Sequence, residues 1–276
     1  MVMRRLLLVA GAVAIAAVVG VCALSSAPAP RGWSVPPSDT VPLGDAMPGG
    51  GPAGAADATG TGATGADPST ASGTTAAGAG PAVGNASRVS RAWAADVARR
   101  TGIPERAVLA YAGAATAIAV ADPGCRLGWS TLAGLGAVES HHGTIGGSAP
   151  QPDGTVQPPI LGPRLDGTDY DAIHDTDGGR LDGDPQWDRA VGPFQFIPST
   201  WEQWGADGSG DGIADPQQLD DAALAAARYL CSYGDLSQPA AWREAIFAYN
   251  HLDSYVDAVA AAANAAATSA RGASGR

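Results

Sequence analysis

Leu127-Gly-Trp-Ser-Thr-Leu-Ala-Gly-Leu-Gly-Ala-Val-Glu139-Ser140 is an apolar run with helix-forming character that ends in an acid. Leu132 and Leu135 precede Glu139 by seven and four residues, so all three share the face that such a helix buries. The chain has only four glutamates, Glu105, Glu139, Glu202 and Glu244. The other three have ordinary helix-start explanations. Glu105 follows Ile103-Pro104, Glu202 stands three residues after Ser199 as in a capping box, and Glu244 comes early in the helix after Pro239. Glu139 instead sits near a helix C-terminus, where its charge opposes the macrodipole. Desolvation there raises a carboxyl pKa, which is the property a general acid needs near neutral pH.

The run belongs to a chain of 276 residues with a net charge of −11 and no lysine; all 16 basic residues are arginine. An acidic chain without a basic patch excludes nucleic acid as the expected partner. Leu6 to Leu24 is free of charge and follows Arg4-Arg5. Nineteen residues at helical rise span roughly 28 Å, close to a bilayer core. The arginines orient the N-terminus to the cytoplasm. An uncleaved membrane anchor and a signal peptide ending near Ser25-Ser26-Ala27 are both open; lipoprotein processing at Cys22 fits less well, because Val21 is bulky. Each of these exports the rest of the chain. In an oxidising compartment Cys125 and Cys231 can form a disulfide, the alternative being two buried thiols.

Composition divides the chain into 1–27 (signal or anchor), 28–87 (linker), 88–265 (one folded domain) and a 266–276 tail expected to fray. Val35 to Ser87 has no aromatic residue and no arginine, and cannot bury enough apolar surface to order itself. The folded part reads as mainly α, with helices over 87–100, 104–120, 126–140, 199–204, 220–233, 239–249 and 252–263. Between His141 and Val191 lies a long Gly/Pro/Asp-rich segment without helical period, expected to be a cleft wall or lid.

Three further motifs follow Glu139-Ser140 in order: Gly192-Pro-Phe-Gln195-Phe196-Ile-Pro-Ser-Thr-Trp201, Asp207-Gly-Ser-Gly-Asp211-Gly-Ile-Ala-Asp215 with the helix from Asp221, and Ala248-Tyr249-Asn250. Together they resemble the lytic murein transglycosylases of the membrane-bound B type, over roughly Arg91 to Ala260. The resemblance implies a lysozyme-like single catalytic domain that cuts peptidoglycan glycan strands. It implies Glu139 as the catalytic acid, and Ser140, Gln195, Phe196, Tyr249, Asn250 and Tyr255 as substrate-binding residues. It also implies cleavage of the bond between N-acetylmuramic acid and N-acetylglucosamine with a 1,6-anhydro product. His141-His142 and Phe194 depart from the family pattern and put the shape of the cleft mouth in question. A muramidase hydrolysing the same bond, and a non-catalytic calcium-dependent wall-binding module, are the alternatives.

The Asp207 loop has its own chemistry. Asp207, Ser209, Asp211, Gly212 and the Ile213 carbonyl fall on positions 1, 3, 5, 6 and 7 of an EF-hand, but position 12 is Gln218. The resembled family supplies a later Asp in a longer loop, which falls on Asp221. A structural calcium ion is therefore expected, with no cofactor for the chemistry; an Asx-turn loop without metal is the alternative. Asp175, Asp177, Asp182 and Asp184 read as a solvated acidic loop, and His141-His142 as loop or substrate contacts rather than metal ligands. Trp129 and Trp242 read as core and Trp187 as a sugar-stacking candidate. The expected setting is the extracytoplasmic cell envelope, with the domain acting as a monomer on glycan strands and tethered to or released from the membrane.

Overall fold

The computed structural model describes Val41 and residues 84–272. The N-terminal apolar segment, Cys22 and nearly all of the linker lie outside the described residues. Among the described residues no helix is long and apolar enough to cross a membrane. The described part is mainly helical, with α1 (Arg91–Thr101), α2 (Glu105–Ala121), α3 (Trp129–Ser140), α4 (Pro198–Trp204), α5 (Leu219–Cys231), α6 (Pro239–Tyr249) and α7 (Asp253–Arg271).

Helix α2 is the axis of the domain. Residues from Ala107 to Ala115 are buried without interruption. Most of them are alanine or glycine, so neighbours approach the backbone closely on several sides. Helices α1, α3 and α5 and the 3-10 turn Asn85–Arg88 all pack on it. A methyl group on Gly113 would stand 2.6 Å from the Asn85 carbonyl. This docked turn lies at the end of the expected linker. Helix α1 opens on Ser90, whose side chain accepts from the Trp93 amide at 3.4 Å, and closes on the left-handed Gly102.

Helices α3 and α7 form the most extensive pair. A methyl on Gly134 would lie 2.7 Å from the Val259 carbonyl, so the two backbones meet there. The α7 helix also runs past its expected end. Ala266 and Ala267 are buried, and alanine favours helix, so residues 266–271 of the expected fraying tail form a packed last turn and a half. At α4 the expected Ser199–Glu202 capping box does not form. Pro198 takes the first helical position and Ile197 the cap, which leaves Ser199 inside the helix.

The segment from His141 to Val191 is ordered as two small antiparallel ribbons. One pairs β1 (Ala149–Pro150) with β2 (Val156–Gln157), the other β3 (Leu161–Arg164) with β4 (Arg189–Val191). Strands of two to four residues are too short for alternation to show in the sequence. The excursion between β3 and β4 is held by aspartates. Asp175 accepts from the amides of Asp177, Gly178 and Gly179, Asp177 from Arg180 and Leu181, and Asp182 from Asp184 and Arg189. Asp182 and Asp188 are buried, so this run is a folded hydrogen-bond scaffold and not the solvated loop expected.

Cys125 and Cys231 form a disulfide that joins the segment before α3 to the end of α5. Leu236 donates its amide to the Cys125 carbonyl at 2.7 Å beside it. The bridge closes a span of 106 residues, and chain entropy at that length is worth about 4–5 kcal/mol at most. Thiol labelling of the denatured, unreduced folded domain is expected to find neither cysteine reactive. Cys125→Ala with Cys231→Ala is expected to lower Tm by several degrees; an unchanged Tm would remove the bridge from the stabilising interactions.

Candidate active site

Glu139 lies on the buried face of α3, against α7. It is 5% exposed, and Leu132 and Leu135 on the same face are fully buried. The Tyr255 hydroxyl, from the first turns of α7, donates to Glu139 Oε1. Burial pushes the Glu139 carboxyl up to about 8, and the Tyr255 hydrogen bond pulls only partly against it. Burial and the Tyr255 bond are the two influences on its titration. Near neutral pH the group is thus a protonated acid. With Oε1 accepting from Tyr255, Oε2 is left to carry the proton. The burial of Tyr255 and the nearby Glu139 charge both raise the Tyr255 hydroxyl well above the usual phenol range, so it stays a donor.

A tight turn at Gly192–Gln195 stands over the end of α3. Val191 and Phe196 exchange backbone hydrogen bonds at 2.8 and 3.0 Å, and Gln195 donates its amide to the Gly192 carbonyl at 3.0 Å. Gly192 is left-handed, and a methyl there would fall 1.8 Å from the Pro216 carbonyl. Two hydroxyls fasten the turn. Ser140 Oγ donates to the Pro193 carbonyl at 2.7 Å, and Tyr249 Oη donates to the Phe194 carbonyl at 2.7 Å. Ser140 and Tyr249, expected in substrate contact, are therefore engaged within the protein and position the turn. Phe196 is 2% exposed and packs edge-on against Trp201 and Tyr249, a core position. Gln195 holds a positive φ of 50°, and its Nε2 donates to the Gly192 carbonyl at 2.9 Å.

Backbone strain concentrates where α3 stops. His141 and His142 have φ of 50° and 63°, and Gly143 follows at 81°. Consecutive left-handed residues that are not glycine are costly and persist where surroundings hold them. Ser140 Oγ accepts from the Gly143 amide at 2.8 Å, and the buried Tyr111 hydroxyl lies 3.2 Å from His142 Nδ1. Burial, with the neighbouring His141, lowers His142 to about 4, so it is a neutral partner for Tyr111. Gly136 makes room for this pair: a methyl there would sit 2.2 Å from the Tyr111 hydroxyl. Sequence reading missed Tyr111; an interior helical glycine four residues before Ser140 was the available signal.

Asn250 caps α6 in an extended conformation, 1% exposed. Neither Oδ1 nor Nδ2 has a hydrogen-bond partner. An unpartnered buried amide costs about 1–3 kcal/mol. Asn250, His251 and Leu252 form one wall of a cavity of about 410 Å³, and residues 167–171 form the other. Glu139 does not line this cavity. The link runs through α7, which begins at Asp253 and presents Tyr255 to the acid. Trp187 lies in the long segment, but its ring stacks on His174 with centroids 4.3 Å apart, so one face is already covered. Trp129 and Trp242 are core, the latter donating to Thr131 Oγ1 at 3.1 Å.

The Asp207 loop is closed by its own amides. Asp221 is fully buried and accepts from Gly208, Ser209 and Asp215 at 2.8, 2.7 and 2.9 Å. Asp207 accepts from Gly210 and Gly212, and Asp211 accepts from Ile213 at 2.8 Å. Burial foremost, with Asp207 adding, raises Asp221 to about 6 in spite of its amide bonds. The donors are hard oxygens with lone pairs to spare, which suits calcium. Among the described residues the carboxylates close enough to share an ion as a set of three are instead Asp175, Asp177 and Asp188.

The family model of the transglycosylase SLT domain matches residues 184–242. The match takes in Gln195, Phe196 and the Asp207–Asp221 loop; it begins after Glu139 and ends before Tyr249. It supports a lytic transglycosylase family, an enzyme acting on peptidoglycan in the periplasm or cell wall, and it agrees with a mainly helical, lysozyme-like domain. No curated protein and no solved structure matches the chain.

The raised Glu139 carboxyl has a thermodynamic signature. Its folded pKa of about 8 lies above the unfolded 4.5, so the folded state holds the extra proton between these values. Stability from this group is whole below pH 4.5 and declines as pH rises toward 8. Asp221 acts with the same sign, but only up to about 6. Glu139→Gln keeps an acceptor for Tyr255 and removes the titration. It is expected to flatten the fall of Tm between about pH 6 and 8 and to raise stability at pH 8 by a few kcal/mol, on the order of 1.4 kcal/mol per pH unit. Parallel Tm–pH curves for both proteins would show that Glu139 ionises normally.

Proposed function

We propose that the chain is a peptidoglycan lytic transglycosylase, of the membrane-bound B type that its motifs resemble, with Glu139 as the sole acid–base. The observation that carries this reading is a Glu139 that is 5% exposed and held by the Tyr255 hydroxyl. Hydrolytic glycosidases generally use two carboxyl groups. A lone carboxyl suits an intramolecular displacement. Glu139 gives its proton to the glycosidic oxygen as the bond from C1 of N-acetylmuramic acid to that oxygen breaks. The resulting carboxylate takes the proton of the C6 hydroxyl, whose oxygen bonds to C1. N-acetylglucosamine leaves, a 1,6-anhydro sugar forms, and Glu139 is protonated again for the next cycle. Gln195 and Asn250 contribute to sugar binding, while Ser140, Phe196 and Tyr249 act by holding the turn and the cleft floor. The catalytic unit is the folded domain from about residue 88, joined by the 28–87 linker to an N-terminal signal or anchor.

Mass spectrometry of products from purified glycan strands tests the reaction. Anhydro ends are expected; reducing ends would make the protein a muramidase, and intact strands a binding module. Glu139→Gln is expected to lose about 10²–10⁴-fold in rate. Wild-type activity should decline on the alkaline side through about pH 8, as the acid ionises.

Calcium is proposed as a structural ion only, held by Asp207, Ser209, Asp211, Asp221 and the Ile213 carbonyl. At tenfold excess over Kd it would add about 1.4 kcal/mol, a Tm rise of a few degrees that Asp211→Ala should abolish. An equal rise in wild type and variant would assign the ion elsewhere.

A further inference from the structure

His142 follows the acid by three residues, and the cleavage step gives it no part. The loop it opens lies against the Gly192–Gln195 turn, because Ser140 Oγ joins the Gly143 amide to the Pro193 carbonyl. From α2 the Tyr111 ring packs at this junction, its centroid 5.9 Å from that of His142 and 5.8 Å from that of Phe194. The Tyr111 hydroxyl is buried, and among the described residues its hydrogen-bond partner is His142 Nδ1, at 3.2 Å. A buried hydroxyl proton needs an acceptor, so Tyr111 donates and Nδ1 accepts. Burial raises the Tyr111 phenol far above its usual range, and burial with the neighbouring His141 keeps the imidazole neutral. The single proton of that neutral ring then sits on Nε2. The ring is only half-buried, and Nε2 is neither enclosed nor bonded to any of the described residues.

An accessible N–H without charge, fixed in one tautomer, suits a neutral oxygen acceptor. Given the peptidoglycan reading, on which this inference rests, the glycan strand offers hydroxyls, ethers and one amide carbonyl per sugar, in the N-acetyl group. The amide carbonyl is the strongest neutral acceptor among them. We propose that His142 Nε2–H donates to an N-acetyl carbonyl of the strand, and that Tyr111 is a positioning residue that acts through His142 by fixing its tautomer. The position carries this imidazole at a cost to the backbone, since φ of 63° would suit glycine or asparagine better.

Two measurements test this. The ring-nitrogen NMR spectrum of wild-type protein near neutral pH needs no variant to fold. His142 is expected to carry its proton on Nε2, and a proton on Nδ1 would overturn the inference. The second measurement is steady-state release of anhydro-ended products from glycan strands and from the same strands with trifluoroacetyl in place of N-acetyl, a similar shape whose carbonyl accepts more weakly. H142N keeps an acceptor for Tyr111 and suits a left-handed backbone, but lacks the outer N–H. It is expected to raise KM for acetylated strands roughly three- to tenfold, as loss of one neutral hydrogen bond does, with kcat little changed. Wild type should prefer acetyl over trifluoroacetyl strands, and H142N should narrow that preference. Y111F should raise KM in the same direction, and H142N/Y111F no further than H142N alone. An unchanged KM in H142N, or a preference for acetyl as large as in wild type, would overturn the inference and leave the transglycosylase reading standing. Absence of anhydro products from wild type would instead bring down the reading itself, and the inference with it.

Discussion

The hydrogen bond from Tyr255 to Glu139 is the contact around which the domain is arranged. It requires α7 to lie directly on α3, and Gly134 makes that possible by admitting the Val259 carbonyl against the α3 backbone. A carboxyl buried this deeply would be a liability if ionised. The phenol donor satisfies one oxygen without supplying a charge, so the acid keeps its proton and still has a fixed orientation. An arginine in the same place would have held a carboxylate and abolished the acid.

A second layer of order surrounds this contact. Ser140, the residue after the acid, and Tyr249, at the end of α6, each hold a carbonyl of the Gly192–Gln195 turn. Thus the family-like motifs, far apart in the chain, are physically one assembly. Ser140 and Tyr249 grip the same turn from two sides, and the left-handed residues His141, His142 and Gln195 sit beside these grips. Strain of this kind is kept only where several contacts fix it at once.

Much of this was legible in the sequence, for identifiable reasons. The periodicity of Leu132, Leu135 and Glu139 placed the acid on the buried face of α3, and all three are buried. The two cysteines of the folded part pair. Other features were hidden because they depend on contacts between distant segments. The carbonyls that Ser140 and Tyr249 hold lie 53 and 55 residues away in the chain, which no local pattern reports. The aspartates of the long segment look solvated because an Asx hydrogen bond leaves no periodic trace, yet Asp182 is buried. The unpartnered amide of Asn250 depends on what fails to approach it, which no spacing rule reports. The Ser199 cap failed because Pro198 is better suited to the first helical turn.

The disulfide divides the chain into an inside and an outside. Glu139 lies within the span that Cys125 and Cys231 close, whereas Tyr255 comes after it. The covalent ring can therefore be completed while the acid still lacks its phenol. In a chain that emerges N-terminus first, the ring is available for oxidation before α7 has arrived to dock on α3. Completion of the Glu139–Tyr255 contact then waits on a noncovalent event, the seating of one helix, so the order of the sequence itself delays it until the rest of the domain is in place.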